Sequence, residues 1–358
     1  MRSEYTELLT AIEEEIAKVL PAFPDDAWFA RFFGDLPASP REEVRRALNA
    51  PAIELVRRGG KRWRPLLLVL AARSFGREDG ALSLAPLVEI AHNGTLIVDD
   101  IEDSSDTRRG GPAIHLVFGV DASVNAGNLL YFLPLALADE LDAPEAVRLA
   151  IHRRYALHMR RLHLGQAMDI QWHRDHSALP DRDSYLAMCA LKTGVLARAA
   201  AELGALAAQA PEVEADALGR VFEGAGVAFQ ILDDVRNLRT GNPGKKRGDD
   251  IVEGKKSLPV ILACEAGAGL APRLSRLFEA AAAGGPDSPA VEEAIGLIAA
   301  TGALDEAERL ARSRLAESES AFARLWPKAR EGGARAVRRA GPDARELLAG
   351  VIPMLEGR

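Results

Sequence analysis

The chain has 358 residues, of which 48% are apolar, and its formal net charge is −7. This length and apolar content allow a large buried core, and the acidic balance argues against a general nucleic-acid or anionic-membrane surface. Two cysteines in apolar, helix-like context exclude a disulfide scaffold. The glutamate-rich N-terminus and the lack of any run of about 18 apolar residues predict a cytoplasmic protein without a signal peptide or transmembrane segment.

Most of the chain has helical spacing of its apolar residues, as in "EAVRLAIHRRYALHMRRLHLGQAMDI" from residue 145. Residues 1–50 contain N-terminal helices and a connection rich in Pro and Phe. Turn-forming residues recur near 36–40, 75, 177, 240 and 283, and no period-two strand pattern competes. We therefore predict a single all-α domain over residues 1–358, with about 15 helices of ordinary length.

The first motif is "TLIVDDIEDSSDTRRGGP", residues 95–112. On a helix, Asp99 and Asp103 share one face, with His92 on the same stripe and Asp100 beside it. Carboxylates this close repel one another, and the apolar residues before them raise that cost, which a divalent cation would remove. Oxygen ligands alone predict Mg²⁺ shared with a phosphorylated ligand. Taken alone, such a pentad is more often a solvated acidic face.

A second acidic motif, "AFQILDDVRNL", follows at residues 228–238. It places Asp233 and Asp234 behind an apolar run, with Gln230, Asp234 and Asn237 on one helix face. An accidental pair of such motifs is less expected than a single one. If the two helices face each other, they would form an acidic cage for more than one Mg²⁺.

Several basic segments accompany the acidic motifs. "RRGGKRWRP" places Lys61, Arg62 and Arg64 around a glycine pair, just before a helix that Pro65 is suited to open. Alone, this segment reads equally well as an ordinary basic turn. Further candidates are Arg108, Arg109, Lys192, Thr193, Lys245, Lys246, Lys255 and Lys256. Acidic metal-binding helices and basic loops make sense together if the ligand is a diphosphate, with Mg²⁺ on one side and Lys or Arg on the other.

Together these motifs carry a resemblance. "GGKRWRP", "HNGTLIVDDIEDSSDTRRG", "LHLGQAMDIQWHRD", "KTG", "FQILDDVRNL" and "GDDIVEGKKSLPVI" follow the order and spacing of the trans-isoprenyl diphosphate synthases, or polyprenyl synthetases, over about residues 55–262. The uninterrupted "DDIED" and the "HN" before it are most similar to geranylgeranyl diphosphate synthases of the eukaryotic type. The resemblance implies the isoprenoid synthase fold, one helical bundle around a central cavity.

The resemblance also implies roles for individual residues. Asp99, Asp100, Asp103, Asp233 and Asp234 would hold about three Mg²⁺ on an allylic diphosphate. The residues expected to steady the same ligand are Arg108, Lys192, Thr193, Gln230, Lys245 and Lys255. Those expected to bind isopentenyl diphosphate are Lys61, Arg64, His92 and Arg109. The implied reaction is ionisation, condensation and elimination, most often in a homodimer.

Product length in this family depends on what blocks the apolar tunnel beneath the first motif. Gly94 and Thr95, five and four positions before Asp99, are small and would leave that layer open. Tyr131 and Phe132, with His163, would form a deeper floor, which suggests geranylgeranyl diphosphate as product. Farnesyl and C25 or longer diphosphates stay open, and the two aromatic residues read equally well as ordinary core side chains.

Three rival functions account less well for these motifs. A non-catalytic regulatory subunit would usually have lost an aspartate-rich motif, whereas here only Asn237 departs from the common pattern. A terpene cyclase or a head-to-head synthase would generally lack "GGKRWRP" and the site at His92, because neither uses isopentenyl diphosphate. The sequence therefore favours a head-to-tail prenyltransferase.

Overall fold

The computed structural model describes residues 2–77, 79, 81–175, 177–241, 246–326 and 342–356. Within these ranges the chain is helical almost throughout, and the strands are two short ones, Thr107–Arg108 and Gly111–Pro112, which pair antiparallel. The prediction of an all-α protein is confirmed. The chain divides into two compact units, and the single domain stays a prediction.

The first unit comprises Met1–Tyr155, Ala199–Asp216 and Ala334–Leu348. Its helices are α1 (Arg2–Val19), α2 (Asp26–Phe33), α3 (Glu42–Arg57), α4 (Trp63–Ser74), α5 (Pro86–Glu102), α6 (Ile114–Phe118), α7 (Val120–Phe132) and α8 (Ala136–Asp139). Short 3₁₀ turns lie at Leu82–Leu84 and Leu133–Leu135.

The second unit comprises Ala156–Arg198, Ala217–Gly333 and Ala349–Arg358. Four helices have residues in both units: α9 (Glu145–Arg174), α11 (Val195–Ala207), α12 (Glu212–Arg239) and α18 (Pro342–Ala349). The remaining helices are α10 (Arg182–Cys189), α13 (Asp249–Val252), α14 (Leu258–Ala266), α15 (Leu270–Gly284), α16 (Pro289–Ala300), α17 (Ala303–Leu325) and α19 (Val351–Met354). A π-helical turn, Ala190–Gly194, joins α10 to α11.

Helix boundaries follow the capping residues in the sequence. Asp25 accepts a hydrogen bond from the backbone N–H of Trp28 at 2.8 Å and begins α2, and Asp181 does the same for Ser184 at 2.7 Å and begins α10. Such caps satisfy backbone donors that a helix start leaves unpaired. The predicted breakers near 36–40, 75, 177, 240 and 283 all lie at or between helix ends.

Helix α4 is the centre of the first unit's core. Its five consecutive residues Leu66–Leu70 are fully buried, as expected for a helix that is apolar all round. A Cβ atom at Gly204 would lie 2.2 Å from the carbonyl oxygen of Leu68. Glycine at that position therefore allows α11 to approach the backbone of α4. Helix α4 begins at Trp63, two residues before the predicted start at Pro65.

The second unit has its own apolar core. Phe222 of α12 is fully buried and packs edge-to-face on Phe322 of α17, with ring centroids 6.2 Å apart. Edge-to-face pairs of this kind add to the free energy gained from burial of the rings. Across the ranges that the structure describes, no helix combines the length and the apolar character that crossing a bilayer requires.

Candidate active site

The first acidic motif lies at the C-terminal end of α5. The backbone N–H of Asp103 bonds to the carbonyl of Asp99 at 2.8 Å, so the helical turn carries these two carboxylates on one face, as the spacing predicts. The Asp100 side chain instead faces Arg108. It is fully buried, and its Oδ1 accepts hydrogen bonds from Nε of Arg108, at 2.8 Å, and from a terminal nitrogen of the same guanidinium.

A two-residue hairpin turn separates the two arginines that follow the motif. Arg109 and Gly110 both have positive φ, 51° and 73°, as a turn of this type requires. Arg108 thereby faces Asp100 and lies 3.6 Å from Oδ2 of Asp99. Arg109 instead donates to the carbonyl of Leu55, at 3.1 Å, on α3. The two guanidiniums therefore have different protein neighbours, and the assignment of one arginine to each diphosphate stays a prediction.

Arg64, His92 and Arg109, three of the four predicted isopentenyl diphosphate residues, form a largely buried cationic group in the first unit. The Arg64 terminal nitrogen lies 3.3 Å from Nε2 of His92. Burial lowers the pKa of Arg64 to about 10 and that of Arg109 to about 10. Burial, together with the charges of Arg64 and Arg109, lowers the pKa of His92 well below its ordinary value. His92 is therefore neutral at neutral pH, and its Nε2 can accept the hydrogen bond from Arg64.

Two buried donors of this group have no acceptor among the described residues. They are Nε of Arg64 and Nδ1 of His92, which carries the proton when Nε2 accepts. A buried donor without an acceptor is costly, and it becomes favourable when an anion occupies the site. Lys61 is exposed beside this group. The arrangement fits a diphosphate oxygen better than a neutral ligand.

Steric contacts explain why a glycine lies directly before Lys61. Gly60 has φ of 154°, and a Cβ atom there would lie 3.0 Å from a terminal nitrogen of Arg62 and 3.2 Å from one of Arg109. A side chain at this position would push both guanidiniums away. Gly60 therefore allows the basic segment to pack against the hairpin.

In the second unit, Lys192 and Thr193 lie on the π-helical turn. Nζ of Lys192 donates to Oδ2 of Asp169 at 2.6 Å. A Cβ atom at Gly165 would lie 2.5 Å from the backbone nitrogen of Lys192, so glycine there lets α9 contact the turn. Turns of this kind recur at functional sites because they reorient side chains within a helix. Asp169, within "GQAMDI", has no role in the sequence prediction.

The second acidic motif is tied to the same turn. Oγ1 of Thr193 donates to Oε1 of Gln230 at 2.7 Å, and Nε2 of Gln230 donates to Oδ1 of Asp234 at 2.8 Å. Oη of Tyr185 donates to Oδ2 of Asp234. Burial raises the pKa of Asp234 to about 7, while the bonds from Tyr185 and Gln230 lower it. Tyr185 is a further residue of the site that spacing along the chain does not indicate.

Asp233 and Lys255 lie nearer the surface. The Asp233 side chain is 39% exposed and lies 3.9 Å from Arg236. Lys255 donates from Nζ to Glu253 at 2.6 Å. Lys245 lies outside the described residues. Asn237 is fully buried, and its Oδ1 accepts the backbone N–H of Asp250 at 3.4 Å, which ties the following loop to α12.

The residues predicted to set product length receive different surroundings. A Cβ atom at Gly94 would lie 2.7 Å from the carbonyl oxygen of Gly127 and 3.1 Å from the ring of Tyr131. The prediction that Gly94 leaves an open layer is therefore wrong, because α7 fills that space. Thr95 bonds its hydroxyl to the carbonyl of His92 at 2.7 Å.

The aromatic pair of the predicted floor is split. Tyr131 is buried against Gly94, as a floor residue must be, whereas Phe132 is 68% exposed. His163, in the second unit, is also exposed, and its Nδ1 lies 2.9 Å from the carbonyl of Met159. Exposure places Phe132 and His163 outside a single-chain floor.

The donor sets fit Mg²⁺ shared with a ligand. Within the part of the chain that the structure describes, no three His, Cys, Asp or Glu side chains form a ready-made metal site. Mg²⁺ is usually held by one or two carboxylates together with substrate phosphates and water, so a full protein cage is not required. Asp99 and Asp103 in one unit, and Asp233 and Asp234 in the other, each supply such a pair. Their approach to one common ligand stays a prediction.

Comparison with known proteins identifies the family. The model of the polyprenyl synthetase family matches residues 45–294. The chain is 35% identical to a geranylfarnesyl diphosphate synthase of Aeropyrum pernix over 78% of this chain and 87% of that protein. It is 39% identical to a geranylgeranyl pyrophosphate synthase of Aspergillus flavus over 51% of this chain and 52% of that protein, so the match spans about half of that relative's length.

A solved structure gives the same result. The crystal structure of a polyprenyl synthase from Caulobacter crescentus, complexed with calcium and isoprenyl diphosphate, has a TM-score of 0.76 and 27% identity and covers 99% of this chain and 95% of its own. The chain therefore has the isoprenoid synthase fold and belongs to the polyprenyl synthetase family.

Proposed function

We propose that this chain is a Mg²⁺-dependent head-to-tail prenyltransferase. It condenses isopentenyl diphosphate with an allylic diphosphate to a short-chain all-trans prenyl diphosphate and releases diphosphate. The observation that carries the proposal is the buried cationic group of Arg64, His92 and Arg109, with two unsatisfied donors, in the same unit as an acidic metal-type motif. A protein that binds one diphosphate through metal alone has no need of that second group.

The two diphosphates are assigned to different residues. Isopentenyl diphosphate binds Lys61, Arg64, His92 and Arg109. Arg108, Lys192, Thr193, Gln230, Lys245 and Lys255 would hold the allylic diphosphate, and the carboxylates of the two motifs would hold its Mg²⁺. Because Asp100 is buried against Arg108, its role is to hold that guanidinium, and Asp99 and Asp103 are the better metal ligands of the first motif.

Charge stabilisation is the main task of these residues. About three Mg²⁺ ions, when bound, would offset the negative charge that grows on the departing diphosphate. Arg108 and Lys192 hold the same diphosphate by charge-assisted hydrogen bonds. The apolar residues beside Asp99 exclude water, which would otherwise quench the allylic cation to an alcohol. The cation then forms a bond with the double bond of isopentenyl diphosphate, and the released diphosphate accepts the proton that is lost.

The direct test is elongation by the purified full-length protein. Mg²⁺, isopentenyl diphosphate and either dimethylallyl, geranyl or farnesyl diphosphate are supplied, and product chain lengths are determined. We expect elongation, and losses of roughly 10³-fold or more in turnover for Asp99→Asn and Asp233→Asn. Asp106→Asn, which changes an exposed carboxylate after the same motif, should keep wild-type turnover. Absence of elongation with every starter would contradict the proposal.

Geranylgeranyl diphosphate is the product we propose. The buried ring of Tyr131 supports a floor in the first unit, and one relative is named for this product while another is named for the longer geranylfarnesyl diphosphate. Farnesyl diphosphate and C25 or longer products are the other outcomes of the chain-length assay.

We also propose a homodimer that covers an exposed apolar surface on α6 and α7. The surface comprises Leu116, Val117, Val120, Val124 and Phe132, all exposed. An apolar patch of this kind is typical of a protein contact. Val124→Asp combined with Phe132→Asp should convert a dimer to a monomer in light scattering after size-exclusion chromatography. A monomeric wild type would refute the dimer without affecting the proposed reaction.

A cytoplasmic location completes the proposal. Cys189 and Cys264 are both free thiols, as a reducing compartment favours. Fractionation of cells that express the chain would test it.

A further inference from the structure

Arg62 lies between the predicted ligands Lys61 and Arg64, yet its guanidinium is turned into the protein. Its backbone adopts the left-handed conformation, with φ of 47°, which is costly for a residue other than glycine. Nε donates to Glu13 of α1 at 2.6 Å, and the terminal nitrogens donate to Glu89 at 2.7 Å and to the carbonyl of Val56 at 2.8 Å. A guanidinium has five N–H donors, and these bonds direct those of Arg62 to protein acceptors. Arg62 therefore has a structural role.

Glu89 connects Arg62 to Asn93, because it accepts hydrogen bonds from both. Oε1 of Glu89, the atom that accepts from Arg62, also lies 3.2 Å from Nδ2 of Asn93, which donates to it. Nδ2 additionally donates to the backbone carbonyl of Glu89 at 2.7 Å. Both residues are buried on α5. The amide of Asn93 is thereby fixed in one orientation, with its oxygen turned away from Glu89.

That oxygen holds Arg109. A terminal nitrogen of Arg109 donates to Oδ1 of Asn93 at 3.0 Å, and the same nitrogen donates to the carbonyl of Leu55. The other terminal nitrogen is 3.9 Å from Oε1 of Glu89. A continuous chain of contacts therefore runs from Arg62 through Glu89 and Asn93 to Arg109. Two protein acceptors fix one edge of a guanidinium that has five donors.

The charges in this cluster favour an anion. The buried carboxylate of Glu89 lies 2.7 Å from the guanidinium of Arg62 and 3.9 Å from that of Arg109, and it also interacts electrostatically with the buried guanidinium of Arg64. Glu13, the second carboxylate, is about half exposed. A neutral amide between Glu89 and Arg109 orients the arginine without cancelling its charge, whereas a carboxylate at position 93 would cancel it. The excess of positive charge is kept for the ligand.

We infer that Asn93 is a positioning residue for isopentenyl diphosphate, which acts through Arg109, and that Glu89 and Arg62 hold Asn93 in place. The inference rests on the proposed function, since it needs Arg109 to bind that diphosphate. It assigns to Arg62 a supporting role that its place between two ligand residues does not suggest. It also gives α1 a function, because Glu13 anchors the far end of the chain of contacts.

The test compares Asn93→Ala with the wild type in steady-state elongation, with either substrate varied at saturating Mg²⁺. We expect the KM for isopentenyl diphosphate to rise about tenfold, as for loss of one oriented charge-assisted contact, while the KM for the allylic diphosphate and kcat change less than about twofold. Asn49→Ala is the matched control, because Asn49 is a buried amide of the same unit that bonds to the carbonyl of Pro21. It should leave both KM values unchanged.

A double-mutant cycle separates positioning from general damage. In an Arg109→Ala background, Asn93→Ala should add less than about a twofold further rise in KM for isopentenyl diphosphate, because the residue that it positions is gone. If Asn93→Ala folds poorly, Asn93→Ser replaces it, since a serine hydroxyl can bond to the carbonyl one turn earlier yet is too short to reach Arg109. The same selective rise is then expected.

The outcomes are distinct. Equal effects on both substrates, or effects of Asn93→Ala and Arg109→Ala that multiply, would overturn the positioning role while elongation by the wild type still supports the proposed function. A wild type that elongates no starter refutes the proposed function itself.

Discussion

Tyr185 and Asp234 are joined by a hydrogen bond in the second unit, with Oη of the buried tyrosine donating to Oδ2 of the buried carboxylate. Gln230 binds the other oxygen of Asp234. Buried carboxylates are costly to ionise, and two donors offset part of that cost. The two bonds therefore fix the orientation of one carboxylate of the second motif.

Tyr185→Phe should weaken Mg²⁺ binding because it removes one of these donors while the ring stays in place. We expect the Mg²⁺ concentration that gives half-maximal elongation to rise roughly tenfold, as when an outer partner of a metal ligand is lost, with little change in kcat at saturating Mg²⁺. Tyr155→Phe is the control, since Tyr155 is also buried and donates to the carbonyl of Tyr131. An unchanged Mg²⁺ requirement in Tyr185→Phe would remove the role given to this hydrogen bond.

Tyr131→Ala should lengthen the product, because its buried ring packs against Gly94 beneath the first motif. Loss of the ring opens space for at least one more isoprene unit. Products from farnesyl diphosphate are compared by chain length for the wild type, Tyr131→Ala and Phe132→Ala. Phe132→Ala should have the smaller effect, since Phe132 is exposed. A wild-type distribution from both variants would show that neither residue forms the floor.

The contrast between these positions shows what the sequence can establish. Spacing of four residues correctly predicts that Asp99 and Asp103 share a face of α5, because the helical repeat determines it. It does not predict that Asp100 pairs with Arg108, since that contact depends on the hairpin turn at Arg109. The prediction of an open layer at Gly94 is wrong for a similar reason. Spacing shows which face of a helix a residue is on, but not which other helix covers that face.

Residue spacing also does not predict contacts between segments that are distant in the sequence. Tyr185 meets Asp234 across two helices, and Asp169 meets Lys192 through the close approach that Gly165 allows. The motifs name the candidate ligands of the site, whose binding roles stay a prediction. The residues that orient those ligands, such as Tyr185 and Asp169, belong to no recognisable spacing pattern. Only the packing of the helices shows which residues they are.

Gly94→Ala tests the close crossing of α5 and α7. The new methyl group would lie 2.7 Å from the carbonyl oxygen of Gly127, so the helices must separate, and we expect a loss of about 1–3 kcal/mol in the free energy of unfolding. Gly296→Ala in α16 is the control, because its Cβ would contact nothing within 4 Å and should instead stabilise by about 0.5–1 kcal/mol. Urea unfolding of both variants measures the difference. Equal stability of the two variants would argue against a tight crossing.

Lys256 should make stability depend on pH in the alkaline range. Burial lowers the pKa of Lys256 to about 8 from 10.5, although Asp175 and Asp169 oppose the shift. Between these two values the unfolded chain binds more protons than the folded chain. The destabilising penalty from Lys256 is therefore constant below pH 8 and diminishes as pH rises from 8 to 10.5. Its ammonium donates to the carbonyl of Gly254 at 2.7 Å and lies 5.1 Å from the ring centre of Phe278.

Two substitutions isolate that effect from the other groups that titrate at high pH. Lys256→Met removes the charge and Lys256→Arg retains it throughout, so neither residue titrates in this range. In thermal unfolding at several pH values from 7 to about 10, the Tm of the wild type should rise relative to both variants by a similar amount. Because every other group is shared, the comparison cancels their titration. A difference in Tm that stays constant with pH for both variants would mean that the folded protein accommodates the Lys256 ammonium without a penalty.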